Sequence, residues 1–199
     1  MKLNFLEKAA VNNPLRARML SRVVRPLLHE RPHGLAGLSI LEIGCGQGAG
    51  TQILLARGHA DRVFAFDYDP TQLARTRRRL GRRQNGAVSL FVGDAEHLPF
   101  PNRSFDVIVE FAVLHHLNDW RGALREIARV LKPGGTLLYE EFLKAFTTAP
   151  VIRQLFDHPT TGWFTADQFT GALRDTGFVS SGPQRRFYHW WLTGTATLP

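Results

Sequence analysis

The chain has 199 residues, of which 44% are hydrophobic and 21% charged, with a net charge of +8 and a pI near 10.5. These are the proportions of a soluble globular protein, most simply one domain with a sizeable core. One cysteine excludes an internal disulfide, no apolar run nears the roughly 20 residues of a membrane span, and Met1–Glu7 lacks a signal-peptide core, so a cytoplasmic protein is expected.

Residues 1–13 hold a short helical segment, Leu3–Ala9. Asn13-Pro14 then offers an N-cap followed by proline at the first helical position, and the helix runs to about Arg25, where Pro26 ends or kinks it. Leu15, Met19, Leu20, Val23, Val24, Leu27 and Leu28 fall on one broad side of residues 14–28. Arg18, Arg22 and Arg25 form a basic stripe opposite, while Arg16 interrupts the apolar side. Three readings stay open: peripheral contact with an anionic membrane, a lid on an apolar pocket, or a helix packed on a sheet with solvated arginines. Arg31-Pro32-His33-Gly34 reads as a linker.

The stretch Leu38–Thr51 is the most informative. Ile40-Leu41-Glu42-Ile43 has the length and type of a buried strand, Gly44, Gly46, Gly48 and Gly50 fall at alternate positions, and Ile53-Leu54-Leu55-Ala56 continues as a helix. A strand, a glycine turn and a helix open a nucleotide-binding unit, where glycine lets a ligand approach the main chain. Gly44-x-Gly46-x-x-Ala49 also satisfies the dinucleotide fingerprint.

Arg62–Asp67 is the second predicted strand, and the carboxylate of Asp67 can accept both hydroxyls of a ribose. Asp69 suits the cap of a helix from Pro70 to about Arg83. Arg75, Arg77, Arg78, Arg79, Arg82 and Arg83 on that helix read as a solvated face, with Leu73 and Leu80 turned inward. Val88–Val92 and Ser104–Phe111 are strands three and four, Trp120–Leu131 is a helix, Lys132-Pro133-Gly134-Gly135 stops it, and Thr136–Glu141 is strand five. This alternation argues a parallel α/β sheet with right-handed crossovers.

In the tail, Pro150–Phe156 reads as helical, 158–162 as a loop, and Thr165–Thr176 as a helix capped by Thr165 with Gln168 completing a capping box. Two short strands, Phe178–Ser180 and Phe187–Leu192, joined by a turn at Gly182-Pro183-Gln184, imply an antiparallel edge.

Glu42 with the spacing Glu-x-Gly-x-Gly-x-Gly resembles the first motif of class I S-adenosylmethionine (SAM)-dependent methyltransferases. Asp67, Gly93–Phe100, Pro101–Asp106 and Leu131–Leu137 match further segments of that family, most closely its small-molecule and quinone-type branch. The match is strong over residues 38–142 and topological beyond them. The resemblance implies a Rossmann-like, doubly wound, seven-stranded and mostly parallel sheet with an antiparallel C-terminal hairpin. It implies an N-terminal helical cap (1–33), a cofactor-binding core (38–142) and an acceptor cover with the terminal hairpin (143–199). It implies SAM as cofactor, held by Glu42, Gly44, Cys45, Gly46, Gly48, Asp67, Tyr68, Asp94, Ala95, Glu110 and Phe111, with Asp94 and the Ala95 amide at the adenine and Glu110–His116 near the sulfonium.

The implied reaction is methyl transfer to a small-molecule or lipid-like acceptor. Nucleic acid is disfavoured. An (Asp/Asn/Ser)-Pro-Pro-(Tyr/Phe) segment is replaced by Glu110-Phe111-Ala112-Val113, and Cys45, inside the cofactor loop, serves neither base-carbon methylation nor a thiol-based metal site. His115 or His116, at most one of them, can act as a general base. Of Glu140 and Glu141, one is expected to face the pocket and the other solvent; Tyr139 is expected in the core. His158, Trp163 and Phe164 lie where the family covers its acceptor, and Phe187, Tyr188, Trp190 and Trp191 read as packing of the last strand. Two alternatives remain: a nicotinamide-dependent oxidoreductase, which lacks a Tyr-x-x-x-Lys dyad here, and a non-enzymatic SAM-binding module.

Overall fold

Eight strands among the described residues form one mixed sheet. A computed structural model of the chain describes residues 13–29, 34–81, 86–156, 161–181 and 184–199. The expected segment Leu3–Ala9, the linker residues 31–33, Arg82 and Arg83, His158, and Gly182-Pro183 lie outside the described residues.

The strands are β1 (Ile40–Ile43), β2 (Val63–Asp67), β3 (Val88–Val92), β4 (Phe105–Phe111), β5 (Leu131–Phe142), β6 (Val179–Ser180), β7 (Arg185–Phe187) and β8 (Trp191–Thr197). The described helices are α1 (Pro14–Val23), α2 (Arg25–His29), α3 (Ala49–Gly58), α4 (Pro70–Leu80), α5 (Trp120–Val130), α6 (Lys144–Thr147), α7 (Pro150–Leu155) and α8 (Ala166–Asp175). A short 3₁₀ turn covers Leu114–His116.

The strand order is β3-β2-β1-β4-β5-β8-β6, with β7 also paired to β8; β1 to β5 run parallel, and β8 enters antiparallel beside β5. Every residue of β1 is buried, as expected of a strand covered on both faces. Alternate side chains feed two cores. Leu41, Ile43, Ile108 and Tyr139 pack with Trp120, Leu124, Ile127 and Phe169 from α5 and α8. Ile40, Val63, Val107 and Leu138 pack on the other face with Leu20, Val24, Leu27, Leu54 and Leu73.

The caps form where the sequence places them. Asn13 accepts from the Arg16 amide at 2.9 Å, Asp69 from Thr71 at 3.0 Å, and Thr165 and Gln168 form the capping box. Leu73 and Leu80 are buried, whereas Arg75, Arg77, Arg78 and Arg79 are exposed.

Four expectations change. The first helix breaks at Val24, and the chain resumes as α2 with Pro26 in its first turn, where a missing N–H costs nothing. Lys132–Gly135 is a bulge inside β5, marked by a register shift opposite Phe105 and Val107. The stretch Phe187–Leu192 is not one strand: β7 ends at Phe187, and β8 runs on to Thr197. β6 and β7 then share the outer edge of β8, so eight strands fill seven positions. Finally, Phe187, Tyr188 and Trp190 are exposed rather than packed.

Candidate functional site

Parallel register brings the strand ends level. Ile43 pairs with Phe66 and Glu110, Asp67 with Val92, and Phe111 with Glu140. The turns that follow β1 to β4 therefore converge at one edge, where ligands bind in such sheets. They enclose a cavity of about 670 Å³, closed on one side by Arg16 and Leu20 of α1.

The glycine turn is built for contact and tied down from behind. Gly46 sits at φ +55°, and the space a Cβ would occupy is open. Its amide donates to Asp67 Oδ2 at 2.9 Å, and its carbonyl accepts from Thr76 Oγ1 at 2.7 Å. Gly50 answers a different need. A Cβ there would collide with Glu42 Oε1 and stand 2.6 Å from Phe111 Cε2, so only glycine lets α3 approach β1 this closely.

The wall is acidic. Glu42 is buried and accepts from the Thr51 hydroxyl, and burial pushes its carboxyl up to about 8. Asp67 accepts from the Gly46 and Asp69 amides, and partial burial raises it too. Asp69, Asp94 and Glu96 complete the acidic lining. Burial, with Glu42 and Asp67 nearby, pushes the Cys45 thiol far up, so it stays protonated and unreactive.

Under the turn after β4 lies a second, fully buried carboxylate group. Glu140 takes a bidentate bond from Arg16, at 2.5 and 2.7 Å, and one from Trp191 Nε1 at 2.8 Å. Glu141 accepts from the Leu114 amide at 2.6 Å and faces His115 Nδ1 at 2.6 Å. Glu110 accepts from the Glu140 amide at 3.0 Å, and burial, with the Glu141 charge beside it, pushes its carboxyl well above the ordinary carboxylate range. This group supports Ala112, which sits at φ +64° on the cavity wall with its amide bonded to the Glu140 carbonyl at 2.6 Å.

Of the residues singled out in the sequence, Glu42, Gly44, Cys45, Gly46, Asp67, Tyr68, Asp94, Ala95, Phe111 and His116 line the cavity. Gly48, Glu110 and His115 do not. A Cβ on Gly48 would meet Thr76 Cγ2 at 2.6 Å, so its place is set by packing on α4. Glu110 is enclosed beneath the turn. His115 is 2% exposed, and its ring stacks against His116 with centroids 4.1 Å apart. Both Glu140 and Glu141 are fully buried, against the expectation of one in the pocket and one in solvent, because each has partners on the protein side. Phe164 belongs to the core with Trp120 and Phe169. Gln72 and Arg16 line the cavity without having been anticipated there. The signal for Arg16 was its position on the apolar side of its helix; Gln72 offered none.

The family model described as a methyltransferase domain matches residues 41–139. A probable S-adenosylmethionine-dependent methyltransferase of Mycobacterium tuberculosis is 36% identical over 140 residues, covering 70% of this chain and 48% of that protein. Demethylmenaquinone methyltransferase of Tropheryma whipplei is 30% identical over 172 residues, covering 75% of this chain and 70% of that protein. The chain belongs to the class I S-adenosylmethionine-dependent methyltransferases. Phthiotriol/phenolphthiotriol dimycocerosates methyltransferase of Mycobacterium leprae is 36% identical over 107 residues, covering 54% of this chain and 38% of that protein. The chain spans about half the length of the first curated relatives it matches. Among solved structures, the CurJ carbon methyltransferase shares the fold, with a TM-score of 0.77 at 18% identity over 96% of this chain and 57% of that one.

The methyltransferase cavity fits the cofactor of its family. SAM carries positive charge on its sulfonium and ammonium groups and has no phosphate. Asp67, Asp69, Asp94 and Glu96 line the wall, while the Arg16 guanidinium is committed to Glu140. That balance favours a cation and opposes a pyrophosphate, on a protein whose overall charge is +8. The buried Oε1 of Gln72 has no hydrogen-bond partner among the described residues, so the wall holds a spare acceptor for a hydroxyl or amino group.

Proposed function

We propose that this methyltransferase moves the methyl group of SAM to a small, lipid- or quinone-like acceptor. The observation that carries the cofactor half is the carboxylate-lined cavity beneath the glycine turn. The acceptor half draws on relatives whose names give demethylmenaquinone and phthiotriol dimycocerosates as substrates.

We assign Asp67 and Gln72 to the ribose, Asp94 and the Ala95 amide to the adenine, and Glu42 with the Gly44–Gly46 backbone to the amino-acid end. SAM supplies an activated methyl group on a sulfonium, and the chain's own work is alignment, exclusion of water and handling of one proton. His116, on the wall beside Ala112 and Val113, is the residue to accept that proton from the acceptor. His115 holds the turn: its side chain and amide both face the Glu141 carboxylate, and Glu110 supports that carboxylate from below.

The division into a helical cap, a cofactor core and an acceptor cover at 143–199 is part of the proposal. For residues 14–28 the geometry supports the helix packed on the sheet, with Arg16 and Leu20 also lining the cavity. Leu20, Val23, Val24 and Leu27 are buried, so a membrane contact by this helix would rest on Leu15 and the arginine stripe alone. No helix among the described residues is long and apolar enough to cross a membrane.

The test is transfer of isotopically labelled methyl from SAM into fractions of a cell extract. Label in a lipid or quinone fraction is expected; label in nucleic acid or protein alone overturns the acceptor reading.

A further inference from the structure

The turn joining β7 to β8 exposes Phe187, Tyr188 and Trp190 at 59%, 78% and 52%. Isolated exposed aromatics are ordinary, but three within four residues make a patch. The turn is also held in shape. Tyr188 sits at φ +52°, a region unfavourable for a residue with a side chain. The Trp190 amide donates to the Phe187 carbonyl at 3.3 Å, and the Trp190 carbonyl accepts from Leu143 at 2.9 Å.

The patch does not stand alone. The Trp190 ring lies 6.4 Å from Phe146, which stacks on Phe142 at 4.6 Å. Phe142 meets the edge of His115 at 5.6 Å, and His115 stacks on His116 at the cavity wall. A file of rings thus runs from the cavity to the surface. Beside it, α7 buries none of its residues and exposes Val151 at 63%.

The surrounding charge is mainly positive. Phe142–Phe156 and Thr176–Pro199 contain no Asp or Glu, yet they carry Lys144, Arg153, Arg185 and Arg186, all exposed. Among the described residues only Arg186 of these has an acidic partner, Asp167 at 3.2 Å. Amphipathic rings amid an excess of cations match the headgroup layer of an anionic bilayer.

We propose that this face rests on an anionic lipid bilayer, with Phe187, Tyr188 and Trp190 in the headgroup layer and Lys144, Arg153 and Arg185 on the lipid phosphates. It deepens the lipid-acceptor reading and rests on that reading for its purpose, though not for its geometry. The face differs from the arginine stripe of α1, which lies on another element.

The test is flotation of the full chain with vesicles of phosphatidylglycerol and phosphatidylcholine, against phosphatidylcholine alone, at low and high salt. Binding to the anionic vesicles only, weakened by salt, is expected. Phe187→Ser, Tyr188→Ser and Trp190→Ser together should lower partitioning about tenfold or more, with the affinity for S-adenosylhomocysteine unchanged. Because a triple change can disturb folding, a second variant, Arg153→Glu with Arg185→Glu, should give a comparable loss. Loss confined to Arg18→Glu with Arg22→Glu moves the contact to α1 and overturns the proposal. So does a dimer in vesicle-free buffer that the triple change dissolves, which makes the patch a protein interface. Absence of flotation while methyl transfer to a detergent-dispersed lipid acceptor persists overturns this inference alone. Flotation with no transfer to any lipid acceptor overturns the acceptor reading and leaves the surface standing.

Discussion

Arg16 and Glu140 form a buried bidentate ion pair across 124 residues, clamping the first described helix to the end of β5. Glu140 is fully buried and Arg16 is 9% exposed, so neither charge has water to fall back on. Removing one partner from such a pair strands the other, at a cost of about 3–5 kcal/mol. Arg16→Ala should therefore lower stability in urea by about that amount. It should also weaken S-adenosylhomocysteine binding, since α1 closes one side of the cavity. Arg16→Met combined with Glu140→Met should recover most of the stability. An Arg16→Ala protein as stable as the parent would mean that the clamp contributes nothing.

Glu42 gives a pH signature. Burial raises its carboxyl to about 8 against the ordinary carboxylate range. Between the unfolded and folded values the native state holds a proton that the unfolded chain has released, so stability is greatest below about pH 4.5 on this account and falls as pH rises through 8. Glu42→Gln removes that dependence. It should raise the stability of the ligand-free protein by a few kcal/mol at pH 8 and flatten the curve of melting temperature against pH. The opposite slope would show Glu42 to be ionised in the native state.

Under the proposed function, Asp67 and Gln72 are assigned to the ribose. Asp67→Ala removes an acceptor from the cavity and also frees the Gly46 amide. Affinity for S-adenosylhomocysteine, measured by calorimetry, should fall by roughly 1.5–3 kcal/mol. Gln72→Leu, which keeps the bulk and removes the acceptor, should fall by about 1 kcal/mol. Unchanged values would place the ribose elsewhere.

The two histidines should separate by assay. His116→Ala should reduce turnover about 10²–10⁴-fold with cofactor affinity intact, as for loss of a general base. His115→Ala strips a buried carboxylate of a partner and should act first on stability, with activity lost only as the turn carrying His116 loosens. Equal effects of both changes on melting temperature, with turnover preserved, would remove His116 from the chemistry.

What the sequence by itself determined is everything local. Strands of buried type, helices begun by Asn13, Asp69 and Thr165, and a glycine turn after Ile43 follow from short-range sterics and capping, and each forms as read. The cofactor loop was legible for the same reason: its chemistry is backbone chemistry, and the need for glycine shows in residue type. Only tertiary structure decided which polar groups near the strand ends face ligand and which face protein. Glu42, Glu110, Glu140 and Glu141 look alike in sequence, yet Glu42 alone of them lines the cavity. Register sorts them: Phe111 is level with Glu140, so the turn beyond β4 folds over the glutamates and seals them in. The last strand shows the same limit. Its aromatic cluster suggested packing, but the start of β8 depends on pairing with β5, a contact some fifty residues distant, and that pairing leaves Phe187, Tyr188 and Trp190 outside. A local pattern specifies what a residue prefers, and long-range hydrogen bonding decides whether the place it receives can satisfy it.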